Sequence, residues 1–405
     1  MMFCKDIVKE QAEKYDSFYL YDESQIVEQI QKLKEHFPDV WFLYSVKCNC
    51  NSSVLHSVFS QGFGADVASA GEVERVLDAG LGKESIYYSA PGKSTEDIKD
   101  AIQNSVLIAD SIDEVERIQT IAEQMNMVAE IGLRINPNFS FNGNQGMPSK
   151  FGIDEEQAIT FIKEQDFTNI KITGIHVHLR CQELNADILA TYYENILNLS
   201  KRIQEVNPEP FTFINMGSGM GIPYADGDTP LNIDKLGRLV HKSLSAFRDT
   251  FPNTKIMIET GRFIVAKAGI YVTKVVDRKV SYGKTYIMLK NTLNGFIRPS
   301  LARLIAHYSA EQSPKGSEPL FTSIDAFQFI ALSDKTPLEQ VDLVGNLCTA
   351  TDVIAEDITM PYLECGDILI ITNAGAYAAV LSPMQFSTQP QPVELFVNLK
   401  HEVKI

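Results

Sequence analysis

The sequence predicts an α/β protein: a closed parallel (β/α)8 barrel of the TIM type, followed by an antiparallel β domain. Two observations carry this reading. Eight short β-branched or aromatic runs alternate with helical patterns between residues 40 and 262, and eight alternations over that length suit a closed barrel better than an open doubly wound sheet. Beyond about residue 270 the helical periodicity fades, and IYVTKVVDRKV, KTYIMLKN, GDILIITNAGAYAAV and PVELFVNL read as strands of a separate antiparallel domain.

In order, the barrel strands are expected at 40–47, 64–69, 85–90, 105–110, 128–136, 171–179, 211–217 and 255–262. Helical stretches between them include GEVERVLDAGL with its closing glycine, SIDEVERIQTIAEQM with Ser111 and Glu114 spaced as a capping box, and the long ADILATYYENILNLSKRIQEV. The expected division is a barrel over 31–269 and a β domain from 1–30 and 270–405, with YLYD at 19–22 supplying a strand to the latter. The stretch 137–150, PNFSFNGNQGMPSK, is rich in Gly, Asn, Pro and Ser and reads as a mobile lid.

A chain of 405 residues, 44% hydrophobic, buries a large core. Its net charge of -16 argues against nucleic-acid or anionic-membrane partners, since that field repels polyanions. No signal segment or membrane-length apolar run is visible, so the expected location is cytoplasmic. The six cysteines lack CxxC spacing, which suggests neither a disulfide framework nor a metal site.

In such barrels, active-site groups gather at the C-terminal ends of the strands, and phosphate docks after strands seven and eight. Lys47 closes strand one, His178 strand six, and Glu259, Gly261 and Arg262 strand eight, while Gly217, Gly219 and Gly221 follow strand seven. Each has a bland alternative: a lysine reaching solvent, a packed histidine, a structural ion pair, an ordinary turn. Their convergence on one rim is what matters. Lysine, imidazole, a glycine loop that lets backbone N–H groups approach an anion, and a carboxylate with an arginine are the means of holding pyridoxal phosphate.

From about residue 18 to 395 the chain resembles the fold-type III pyridoxal-phosphate decarboxylases of the diaminopimelate and ornithine type, whose barrel is alanine-racemase-like. YSVKCN, GADVASAGE, SKFGI, HVHLRCQ, MGSGMGIPY, ETGR, GNLCTATD and the closing GAY each match a motif of that family. The resemblance implies that Lys47 binds the cofactor aldehyde, with Asp66 and Glu72 beside it. His178 would lie against the cofactor ring and Glu259 would pair with its pyridine nitrogen. Gly217, Gly219, Gly261, Arg262 and Tyr377 would hold the phosphate end. It further implies a homodimer with shared active sites, in which Cys348 of the neighbouring subunit donates a proton. A glutamate at the ring nitrogen favours decarboxylation of an amino acid over racemisation.

Departures from the pattern bear on the substrate. Arg180 and Cys181 stand where the family has Gly-Ser, and Thr349 stands where an acidic residue holds a distal amine. Arg298 keeps the position that binds a substrate carboxylate, but the tyrosine expected four residues later is Ala302. LCTATD with SPMQFSTQPQPVELFV looks closer to a branch acting on conjugated amino acids. That branch includes the citryl-diaminopropionate decarboxylase of siderophore synthesis and the glutamyl-carrier-protein decarboxylase of antibiotic synthesis. Diaminopimelate decarboxylase is the alternative, and an amino-acid racemase or a non-catalytic cofactor-binding protein are alternatives of other classes.

Overall fold

The computed structural model describes residues 4–141, 143, 145–164, 167–308 and 323–405. They form two compact units, one of residues 29–221 and 230–261, the other of residues up to 28, 222–229 and from 262 onward.

The first unit is a parallel barrel. Its strands are Trp41–Ser45, Gly64–Val67, Ile86–Tyr88, Val106–Ala109, Ala129–Asn136, Ile170–His176, Phe213–Asn215 and Lys255–Thr260. Each pairs with the next, and the eighth closes on the first through Met257 opposite Trp41 and Thr260 opposite Tyr44. All eight expected runs are strands, most of them shorter at their C-terminal ends than expected. The sixth stops at His176, so His178 lies in the loop beyond it, because after the Val177 amide bonds Asn215 O the backbone leaves the ladder. Leu43, Tyr87, Ile108, Phe213 and Met257 fill the interior. Phe213 needs the room left by two glycines, since a Cβ on Gly132 or Gly174 would lie 2.8 or 2.5 Å from its ring.

The expected capping box at Ser111 is half made. The Ser111 hydroxyl accepts from the Glu114 amide at 3.2 Å. The Glu114 carboxylate turns instead to Lys93, whose Nζ lies 2.7 Å away and also donates to the Ala90 and Ile108 carbonyls. Burial pushes the Glu114 pKa up and the Lys93 pKa down, each opposed by the charge of the other. A buried ammonium is a stronger claim on that carboxylate than a helix-end amide that water can reach.

The second unit is built on a sheet running Val353–Pro361, Leu338–Gly345, Lys284–Leu289, Gly269–Ser281, Ser17–Asp22, Val393–Val397 and Val403–Lys404, with Ile368–Ile371 and Phe329–Ala331 branching from it. The YLYD stretch joins it as expected. Most pairs are antiparallel, but Lys284–Leu289 with Leu338–Gly345 and Ser17–Asp22 with Val393–Val397 are parallel, so the sheet is mixed. Phe18, Leu20, Ile270, Val272, Ile370 and Leu395 form its core. It also carries a helix, Ile297–Tyr308, where only strands were expected. Among the described residues no helix is long and apolar enough to cross a membrane.

Candidate active site

Four barrel loops carry the chemistry of the first unit. Lys47 sits in a single turn, Val46–Cys48, that follows the first strand. The Tyr44 hydroxyl fixes this turn by donating to Asn49 O at 2.9 Å. Gly261 packs against it, and a Cβ there would meet Cys48 Sγ at 2.7 Å, so its part is to admit the turn. The Lys47 side chain is 40% exposed, and its Nζ donates to Asp66 Oδ2 at 2.9 Å. Asp66 is buried and its other oxygen accepts from Ser89 Oγ at 2.5 Å. Glu72 accepts from the Ala68 amide at 2.7 Å, and burial, with Asp66 adding, raises its pKa.

His178 is neutral and its tautomer is set. Ser218 N donates to Nδ1 at 3.0 Å, which places the ring proton on Nε2. Burial lowers its pKa to about 3 against the pull of Glu259. Glu259 is buried at the end of the eighth strand and accepts from Asn215 Nδ2 at 2.8 Å through Oε1. Burial would raise its pKa, but His176 above all, with the charge of Lys47, holds it well below the carboxylate range. Arg180 lies in the loop beyond His178, 4.0 Å from Glu183 and over the ring of Phe141. Phe141 belongs to the expected lid, of which residues 142 and 144 lie outside those described.

The glycine loop is shaped for close approach. Gly217 has φ +66° and Gly219 φ +148°, and a Cβ on Gly217 would lie 2.1 Å from Val177 O. The amides of Gly217, Ser218 and Gly221 are taken by Asn215 Oδ1, His178 Nδ1 and Glu183 O. Among the described residues nothing takes the Gly219 and Met220 amides. Both glycines are needed for the backbone conformation, and only Gly219 of the two leaves its amide available as a donor among the described residues.

The second unit carries the other candidates. Arg262 Nη1 donates to the Tyr224 hydroxyl at 2.9 Å, and its guanidinium lies 5.0 Å from the centre of the Tyr377 ring. Arg298 is fully buried at the start of Ile297–Tyr308, donates through Nη1 to Ala376 O at 2.9 Å, and packs over Tyr224 and Phe327. Burial alone would push the Tyr224 hydroxyl up, yet Arg262 and Arg298 outweigh it and hold it below the usual phenol value. Cys348 is exposed, with Ser387 Oγ at 3.9 Å, and the Thr349 and Thr351 hydroxyls are 2.9 Å apart. Asp352 anchors this loop by accepting from the amides of Leu347 and Leu293.

Sequence reasoning passed over four of these residues. His176 and Asn215 support Glu259, Tyr224 stands between two arginines, and Ser89 holds Asp66. The visible signals were the position of His176 two residues before His178 and that of Tyr224 within MGSGMGIPY.

The residues present fit pyridoxal phosphate. The loop presents two amide donors that nothing described occupies, beside glycines whose Cβ atoms the backbone could not admit. An accessible amine with a carboxylate partner, a neutral imidazole and an ionised buried glutamate complete what an anionic aldehyde with a basic ring nitrogen requires.

The model of the family described as "Pyridoxal-dependent decarboxylase, pyridoxal binding domain" matches residues 23–266. The L-glutamyl-[BtrI acyl-carrier protein] decarboxylase of Niallia circulans is 33% identical over 93% of this chain and 88% of its own length. A diaminopimelate decarboxylase of Helicobacter pylori is 28% identical over 96% and 91%. The crystal structure of the Helicobacter pylori enzyme complexed with L-lysine superposes with a TM-score of 0.82 at 25% identity, covering 98% of this chain and 95% of that one. With a family model matching more than half of its length and relatives alike nearly end to end, the chain belongs to the pyridoxal-dependent decarboxylases: it is an enzyme that uses pyridoxal 5′-phosphate to decarboxylate an amino acid.

Proposed function

We propose that the enzyme removes the α-carboxylate of an amino acid whose remote end is acylated or otherwise conjugated, as an intermediate in a siderophore- or antibiotic-type biosynthesis. The observation that carries this is the cysteine loop. Thr349, its hydroxyl 2.9 Å from that of Thr351, offers no charge to a distal ammonium. An ammonium left unpaired in a desolvated pocket costs several kcal/mol, about 2–7 for a polar group and more for a charge. The likeness to a decarboxylase of a carrier-bound glutamyl group supports the same reading. Diaminopimelate is the second reading, favoured by the diaminopimelate decarboxylases among the relatives.

Bound pyridoxal phosphate supplies an aldehyde and a ring that takes up the electron pair left on the α-carbon when carbon dioxide departs. Lys47 binds that aldehyde, and Asp66 Oδ2, 2.9 Å from Nζ, takes the proton the amine must lose. Glu72 adds a second carboxyl beside them. Glu259, held ionised, keeps the ring nitrogen protonated, and the flat neutral ring of His178 packs against the cofactor. The Gly219 amide, Arg262 and Tyr377 hold the phosphate, while Gly217 and Gly261 shape the backbone around it. Arg298 pairs with a substrate carboxylate, and Arg180 with a second anionic group on the conjugate. Cys348 comes from the partner of a cytoplasmic homodimer and returns a proton to the α-carbon through its exposed thiol. In domain terms, 31–269 carries most of the cofactor-holding groups together with Arg180, while 1–30 and 270–405 contribute Tyr377, Arg298, Thr349 and Cys348.

The test is carbon dioxide release from a panel of free diamino acids and their acyl or citryl conjugates. Conjugates are expected to turn over faster, and Arg298→Ala to raise KM for the best of them by roughly ten- to hundredfold, the equivalent of a charge-assisted contact. Diaminopimelate turning over fastest, with Arg298→Ala harmless to the conjugates, replaces this reading with the second one.

A further inference from the structure

Asn215 is the last residue of the seventh barrel strand and is fully buried. Its side chain amide is used at both ends. Oδ1 accepts from Gly217 N at 2.9 Å, at the start of the glycine loop, and Nδ2 donates to Glu259 Oε1 at 2.8 Å. These two partners fix the orientation of the amide, since a flipped group would set N–H against N–H and oxygen against carboxylate. The backbone repeats the link, with Glu259 N donating to Gly217 O at 2.9 Å. His176, paired with Asn215 across the ladder, brings Nε2 to 3.0 Å from the same Oε1. That contact is close but not a well-aligned hydrogen bond, so Asn215 supplies the directed one.

Both contacts to Glu259 fall on Oε1. We propose that Asn215 is a positioning residue that ties the carboxylate for the cofactor's ring nitrogen to the loop for its phosphate, reserving Glu259 Oε2 for the ring nitrogen. One side chain thereby sets the spacing between the two ends of the cofactor site. The inference rests on the reading of Glu259 as the partner of the ring nitrogen. It explains why a neutral amide serves here. A carboxylate would satisfy Gly217 N but repel Glu259, and an apolar side chain would release both.

Asn215→Asp tests this with a signature that a merely structural role does not produce. While protonated, the new acid donates to Glu259 Oε1 as the amide did; once ionised, it faces Glu259 charge to charge. With 15N-labelled pyridoxal phosphate bound, the wild-type ring nitrogen is expected to stay protonated across the stable pH range. In Asn215→Asp its 15N signal should change with pH as the new acid ionises and disturbs Glu259, with kcat falling about tenfold over the same interval and KM little changed. Asn215→Ala should lower kcat at all pH values and weaken binding of pyridoxal phosphate more than of pyridoxal. Should the alanine variant not fold, the near-isosteric aspartate variant decides alone. A folded Asn215→Asp enzyme with a wild-type 15N shift and pH profile overturns the inference. Failure of the underlying reading looks different: Glu259→Gln would then leave the ring 15N shift unchanged.

Discussion

The two units hold their ionisable groups in contrasting ways. In the barrel the groups assigned to the cofactor are buttressed by their own chain: Lys47 by Asp66, Asp66 by Ser89, His178 by Ser218 N, Glu259 by Asn215. In the β unit Arg298 faces two aromatic rings and a carbonyl and, among the described residues, no carboxylate. Among the described residues the Cys348 thiol and Thr349 hydroxyl make only weak or local contacts, although Asp352 anchors their loop. The difference teaches how the work is divided. On the proposed reading, geometry that must not vary with the substrate is fixed by buried bonds, whereas the groups proposed to meet the variable part of a substrate keep bonding capacity in reserve.

Four tests break or sharpen that contrast. The largest effect is expected from Lys47→Ala and Cys348→Ala, each lowering turnover by at least about 10³-fold, while mixed chains regain part of the activity because one site of each heterodimer is intact. No recovery, with subunit exchange shown independently, removes Cys348 from the reaction. The second is structural. Lys93→Met strands Glu114 in the barrel wall and should cost about 3–5 kcal/mol in urea unfolding, with much of it restored by adding Glu114→Leu. A cost near zero means that the pair is already hydrated.

Third, Thr349→Glu should raise kcat/KM for a free diamino acid by about tenfold and lower it for an anionic conjugate, as one paired charge would. Equal effects on both substrates separate this loop from the substrate. The smallest effect is on stability against pH. The folded-state pKa of Glu72 is raised by burial, so its contribution is most favourable below the ordinary carboxylate value and is lost as pH rises through the folded one. Glu72→Gln should therefore stabilise the protein at neutral pH and do nothing in acid. Thermal melts at several pH values will show the crossover, and a pH-independent difference refutes it.

The barrel was legible because alternation is a local property: each buried strand announces itself by its own side chains, as VWFLYSVK and KIMIETGR do. What failed depended on distant partners. The parallel pairing of Lys284–Leu289 with Leu338–Gly345 leaves no trace in either segment's composition. Nor does Ser111–Glu114 reveal that Lys93, far back in the chain, will claim the glutamate. Ile297–Tyr308 opens on Ile-Arg-Pro, and its long-range fixing through Arg298 to Ala376 is not a periodic signal. Family motifs picked out Lys47, His178 and Glu259 but not Asn215, whose role appears only when three adjacent strands are closed into a barrel.

The strand Ser17–Asp22 has a consequence for how the molecule is made. It precedes the whole barrel in the chain, yet its two neighbours in the sheet arrive only with Gly269–Ser281 and, more than a hundred residues later still, Val393–Val397, where Phe18 faces Val393. A ribosome thus carries an apolar ribbon, SFYLYD, with both edges bare while the whole barrel is translated. Closing so long a loop is slow, and meanwhile the ribbon is open to any other nascent copy. Chains interrupted before Val393 should emerge with a formed barrel and one adhesive edge, so premature termination of this protein should yield aggregates rather than a soluble fragment.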